Sequence, residues 1–178
     1  MKKILVIIIG VYFTQTGFSQ SINESPSVMP AKTIKAYEIK SESKVNEFYN
    51  YLELLSDPKI NTEMKAHTSA EALKLFQSTA ITVSNIFDKA NTNIALKDFL
   101  EQVTRQKNVK FKLEGFSSHQ DKHTATKQEW DLNYNLIINS KKTYTIRQKF
   151  FIVQEDKKFG NTTKKVWNTY LGDLSVIK

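Results

Sequence analysis

Glu129-Trp130-Asp131-Leu132-Asn133-Tyr134-Asn135-Leu136-Ile137-Ile138-Asn139 is the stretch on which the fold turns. Trp130, Leu132, Tyr134, Leu136 and Ile138 share one side, and Glu129, Asp131, Asn133, Asn135 and Asn139 share the other. A period of two marks a strand with one buried face and one wet face. The run from Tyr144 to Gln154 repeats the pattern, with Tyr144, Ile146, Phe150 and Ile152 on one side. Asn139-Ser140-Lys141-Lys142 between them reads as a polar turn, so the two runs predict an antiparallel hairpin. Gly160-Asn161 then turns the chain into Lys165–Leu171, while Val109, Phe111, Leu113 and Gly115 open the sheet ahead of the hairpin. A meander with one apolar face needs helices to cover it, and the residues before 109 can supply them.

Val45, Phe48, Tyr49, Leu52 and Leu55 recur at three- and four-residue spacing, predicting a first helix over Ser43–Leu55 with Ser43 as N-cap and Asp57-Pro58 as its stop. Thr68-Ser69-Ala70-Glu71 has the form of a capping box and predicts a second helix over 69–77. Ala80–Phe87 is rich enough in β-branched residues for a short strand. A third helix is expected from Ile94 to Gln106, capped by Asn93, with Leu96, Phe99, Leu100 and Val103 as its stripe. Residues 20–43 hold Pro26, Pro30 and several serines and read as a flexible or extended arm, in which Ala36–Ile39 could add an edge strand.

The chain has 178 residues, enough for one domain with a proper core. Lys2 and Lys3, the apolar run Ile4–Tyr12 and the small residues Gly17 and Ser19 have the form of a secretory signal peptide over 1–19, leaving Gln20 first. That run is too short to span a bilayer, so the mature chain is expected to be exported, periplasmic or secreted, with no transmembrane segment. No cysteine is present to carry a disulfide or a lipid. The formal charge of +8 becomes +6 once Lys2 and Lys3 are removed, and Arg105 and Arg147 are the only arginines. Nucleic-acid readers lean on arginine, so the charge reads as a lysine-rich wet surface and no nucleic-acid partner is expected.

Helix, short helix, strand, helix, then about four long antiparallel strands is an order that resembles the nuclear transport factor 2-like superfamily, the fold family of the ketosteroid isomerases and polyketide-cyclase-like proteins. The resemblance covers about Lys44 to Lys178 and lies in the order and spacing of elements. It implies an α+β cone: a strongly curved antiparallel sheet with short edge strands, wrapped around three N-terminal helices, with a pocket between sheet and first helix. It also implies small apolar occupants and pairing of two copies through the outer sheet face. The isomerase branch carries its general base on the strand between the second and third helices. The similar stretch here reads Thr82-Val83-Ser84-Asn85-Ile86, with Asn85 where an acid is wanted. An amide cannot take up a proton near neutral pH. Tyr49 or Tyr51 could imitate the branch's phenolic donor, and Asp88 lies close enough to keep an enzyme reading open.

Phe48, Tyr49 and Leu52 on the first helix, and Trp130, Tyr134, Tyr144, Gln148 and Phe150 on the sheet, are the expected lining of a pocket for a small apolar or aromatic ligand. Most of these residues would serve equally as core. Gln148 is the more informative one, since a buried amide needs partners. Trp167, Leu171, Phe151 and Val153 are expected on the opposite face, where Trp167, Phe151 and Val153 would form an outer apolar patch suited to a homodimer. His119-Gln120-Asp121-Lys122-His123 reads as a wet loop rather than a metal site, and His67 as a surface histidine. No cofactor is implied. Three functions stay open: an exported ligand-binding module without a catalytic base, an isomerase-, dehydratase- or cyclase-type enzyme using Asp88 or Asp131, and a structural partner in an envelope complex.

Overall fold

A computed structural model describes residues 31–178 apart from Thr79, Ala125 and Lys178. The expected leader and the arm up to residue 30 lie outside the described residues. Helices α1 (Ala31–Ser56) and α2 (Thr62–Lys74) come first, then short strands β1 (Thr82–Ser84) and β2 (Asn93–Ala95) and helix α3 (Leu96–Arg105). Long strands β3 (Phe111–His123), β4 (Lys127–Ile138), β5 (Lys142–Phe159) and β6 (Thr162–Ile177) follow. They form one sheet in the order β2-β1-β6-β5-β4-β3, antiparallel except where β1 meets β6. The fold is α+β, with three helices ahead of a six-stranded sheet of which four strands are long.

The alternation of β4 is as the sequence implies: Trp130, Leu132, Tyr134, Leu136 and Ile138 are buried. β4 and β5 pair without interruption from Lys127↔Val153 to Ile138↔Lys142. Asn139 and Ser140 in the turn carry φ of 50° and 56°, and Gly160 in the next turn carries 59°. Left-handed backbone of this kind gives a short hairpin loop the twist of its strands. The outer pairs are less regular. β3 has one extra residue between Glu114 and Ser117, with Gly115 at φ 68°, and another between Gln120 and Lys122. β6 has one extra residue between Leu171 and Leu174, so both leucines face inward at a spacing of three. Such bulges bend and twist the strands that carry them.

All three helix starts differ from expectation, and α2 ends at Lys74, short of Gln77. α1 begins at Ala31 instead of Ser43, so the described part of the supposed arm is helical, and Ala36–Ile39 is a piece of that helix and not an edge strand. Its inward stripe continues upstream through Tyr37 and Ser41; Ser41 is buried and satisfies its hydroxyl on the Glu38 carbonyl at 2.6 Å. A small polar residue on the inward face hid the stripe. α2 begins at Thr62, with Asn61 Oδ1 accepting from the Met64 amide at 2.8 Å, so the Thr68 box is mid-helix. Asn93–Ala95 is strand, paired with β1, and α3 starts at Leu96, whose amide donates to the Ile81 carbonyl at 2.9 Å. Asn93 therefore caps nothing; its side chain accepts from Ser84 Oγ at 2.8 Å.

The inner sheet face closes over α1. Val45, Phe48, Tyr49, Leu52 and Leu55 are buried against it, and α3 adds Leu96, Phe99, Leu100 and Val103. The far end of α1 is pinned by Ser56: its carbonyl accepts from Asn108 N and its Oγ accepts from Val109 N, both at 3.0 Å. Ser56 is fully buried, and removing its hydroxyl strands the Val109 amide. Ser56→Ala is expected to lower unfolding stability by about 1–3 kcal/mol in denaturant titration.

Candidate ligand-binding site

The expected site residues arrive from three elements. α1 delivers Phe48, Tyr49 and Leu52; β4 delivers Trp130 and Tyr134; β5 delivers Tyr144, Gln148 and Phe150. Trp130 and Phe150 are directly opposite each other across β4 and β5, and Leu132 is opposite Gln148. The Tyr49 and Tyr134 rings meet edge to face at 6.1 Å, and Phe116, carried inward by the first β3 bulge, leans on Tyr134 at 5.1 Å. Tyr144 stands apart: it is half-buried and donates its phenol to the Ile86 carbonyl at 3.0 Å.

A chain of hydrogen bonds runs through the middle of this group. Tyr134 Oη donates to Gln148 Oε1 at 2.8 Å, so at the 3.2 Å phenol–phenol contact Tyr49 is the donor. Gln148 is 0% exposed, and its Nε2 has no partner among the described residues. Turning the amide over would orphan its oxygen instead, so one end stays open in either orientation. Burial pushes the Tyr49 phenol well above its ordinary range, and burial with the neighbouring Tyr49 does the same for Tyr134. Both phenols therefore stay protonated, able to donate and unable to act as bases.

Space beside them is small. A cavity of about 10 Å³ lies between Tyr37, Glu38 and Ser41 of α1 and Trp130, Leu132 and Phe150 of the sheet. That holds about one water. Trp130 lines it, and the Trp130 Nε1 is buried without a partner among the described residues. A surface cleft of about 80 Å³ shares Glu38, Ser41, Ser118 and Leu132 with the cavity. Between them stands one side-chain bond from the first turns of α1 to the sheet, Ser118 Oγ donating to Glu38 Oε1 at 2.6 Å. That bond is the first cause holding the Glu38 carboxyl below its usual range. Sequence reading missed Tyr37, Glu38, Ser41 and Ser118; the spacing 37, 41, 45, 48 was the signal available.

The alternative acids lie elsewhere. Asp88 follows β1, where it accepts from the Ala90 amide at 3.3 Å and Thr92 Oγ1 at 3.0 Å; these bonds hold its carboxyl below the ordinary value. Asp131 is on the outer sheet face, 3.0 Å from Lys149 Nζ. Neither carboxylate reaches the interior. Asn85 spends its side chain on Gln102 Oε1 at 2.8 Å and on the Phe87 amide at 3.1 Å.

The outer face also differs from expectation. Trp167 is opposite Gln154 and Leu171 opposite Phe150, which puts both on the inner face, away from Phe151 and Val153. The proposed apolar patch thus loses its tryptophan; Phe151 keeps Lys127 Nζ over its ring at 4.1 Å. His119 and Asp121 belong to strand β3 and not to a loop. Asp121 is turned onto Lys149 Nζ at 2.7 Å, beside Glu129 at 3.2 Å and Asp131. Among the described residues no group of His, Asp and Glu is arranged to hold a metal ion.

No protein-family model matches the chain, and no curated protein matches it in sequence. Among solved structures, the yeast UBP3-associated protein BRE5 is similar at a TM-score of 0.38 and 10% identity, over 72% of this chain and 89% of that one. A likeness of this size says nothing of function. The order of elements itself, three helices followed by a six-stranded sheet that covers the first of them, is the order expected from the sequence resemblance.

Two outcomes follow from the polar groups. Tyr134→Phe leaves the Gln148 oxygen and the Tyr49 hydroxyl without their partner and should cost about 1–3 kcal/mol of stability, whereas Gln148→Met should cost less, since it also removes an unpaired amide end. Denaturant midpoints of the two variants check the order. On the outer face, the hydrogen bond from the Lys149 ammonium holds the Asp121 carboxyl below its ordinary value. Its contribution to stability is complete above that ordinary value and is lost as pH falls through and below it. Melting temperatures between pH 6 and 2 should fall less steeply for Lys149→Met than for the parent chain.

Proposed function

We propose that the protein is an exported binding module for a small apolar or aromatic molecule that carries a hydrogen-bond acceptor such as a carbonyl oxygen. The ligand would sit between the first half of α1 and the inner sheet face, displacing the contents of the small cavity beside Trp130 and Phe150. The supporting observation is Gln148, a completely buried amide with one end spent on Tyr134 and the other open. Leaving such a group unpaired costs about 1–3 kcal/mol, which an acceptor on a ligand would recover. Its cross-strand neighbour Leu132, and Phe150 two residues on, line the cavity. Space for a ligand would come from the first turns of α1 lifting off, with Glu38 and Ser118 parting. Export rests on the form of residues 1–19 alone, and processing is expected to leave Gln20 first.

Trp167→Phe leaves Trp130 as the one tryptophan reporter, since the chain has two. Titration with steroids, fatty acids and aromatic acids should then shift Trp130 emission for at least one class. Adding Gln148→Met should weaken a carbonyl-bearing ligand by roughly tenfold and leave its hydrocarbon analogue unchanged, the size expected of one hydrogen bond. No emission change with any class, or equal loss for both analogues, would defeat the reading.

A further inference from the structure

The β5–β6 hairpin outruns the rest of the sheet. β4 ends its pairing with β5 at Lys127↔Val153, and past the bond from Gln154 N to the Thr126 carbonyl, 2.8 Å, no strand among the described residues flanks residues 155–166. The two strands continue alone through Phe159↔Thr162, six residues beyond β4, or roughly 20 Å at the usual rise. A lone two-stranded ribbon has no sheet neighbour to support it and is marginal in water.

Its surface is not that of a passive turn. Every residue from Asp156 to Lys165 is exposed. Lys157 is directly opposite Lys164, an arrangement that puts like charges together and weakens the ribbon. Lys158 and Lys165 project from the other face. None of the four makes an ion pair among the described residues. At the tip, Phe159 is 47% exposed on the same face as Lys157 and Lys164, with the Lys157 ammonium 5.9 Å from its ring. Guarding an edge against other strands explains lysines on a ribbon. It does not explain an exposed aromatic at the tip, flanked on its own face by two lysines and backed by two more on the other face.

We propose that this ribbon docks on an anionic lipid surface, with Phe159 seated at the boundary of headgroups and acyl chains and Lys157, Lys158, Lys164 and Lys165 at the level of the phosphates. An amphipathic tip gains apolar burial and lipid charge together. Lysine, a compact point charge, suits scattered headgroups, whereas base and phosphate forks on a nucleic acid favour arginine, which the ribbon lacks.

The test is co-sedimentation of the purified full chain with vesicles of phosphatidylcholine alone and of phosphatidylcholine with 30% phosphatidylglycerol. Binding should be confined to the anionic vesicles and fall with added salt. Lys157→Gln, Lys158→Gln, Lys164→Gln and Lys165→Gln combined should weaken it by at least a hundredfold, at about fivefold per lysine near the surface. Phe159→Trp should give an emission blue shift on anionic vesicles that the parent lacks. Equal binding by the four-lysine variant, or Trp emission at 159 that vesicles leave unchanged, overturns the proposal. So does binding to heparin or duplex DNA with none to anionic vesicles, which would reassign the ribbon to soluble polyanions. All five positions are exposed, so circular dichroism of the variants should match the parent.

Discussion

The constraint behind the whole structure is that a sheet with one apolar face has to close over a single helix. Three of the four long strands, β4, β5 and β6, present Trp130, Leu132, Tyr134, Ile146, Phe150, Ile152, Leu171 and Leu174 to one side, and α1 is the element that packs against that face. At 26 residues α1 is about 39 Å long, enough to run under much of the sheet. α2 and α3 then pack against α1 and against each other. Ser56 ties the end of α1 to the start of β3, which fixes the helix along its own axis. Toward the opposite end the side-chain tie to the sheet among the described residues is a serine–carboxylate bond, so the two ends of the same helix are held very differently.

Closure of this kind fills the interior with side chains, and the polar groups caught inside must satisfy one another. Tyr49, Tyr134 and Gln148 do so in one direction only, each donating to the next. Aromatic edges supply the remaining contacts, with Phe48 against Phe76 at 5.0 Å and Tyr49 against Phe111 at 5.1 Å. The outer wall is managed by charge instead. Partial burial works against the Lys149 ammonium, but Asp121, Asp131 and Glu129 outweigh it and hold it protonated well above its usual range. One face of the sheet is thus a hydrogen-bonded core and the other a tethered ion cluster.

The strands were legible because a period of two survives in β4 and β5 with hardly an exception, and the inward set was identified residue by residue. The start of α1 was not, because Ser41 interrupts an apolar stripe with a hydroxyl that the helix backbone satisfies by itself. α3 lost its expected cap because Asn93 serves a strand pair, a long-range partner that no local pattern announces. The placement of Trp167 failed for a similar reason. Its face is set by register against Gln154, and register depends on turn geometry and bulges. Of the candidate site, the phenols, Trp130, Phe150 and Gln148 could be named from the chain; Glu38, Ser41 and Ser118 depended on knowing where α1 begins.

The extra residue of β6, at Gly172-Asp173, has an implication for how this sequence can vary. Upstream of it inward positions are odd-numbered, at 167, 169 and 171, and downstream they are even, at 174 and 176. A lost or added codon at that point would exchange inside for outside along the rest of the strand, carrying Leu174 away from its place beside Val83 and Gln148. The length of this final strand is therefore fixed as firmly as the identity of its buried leucines.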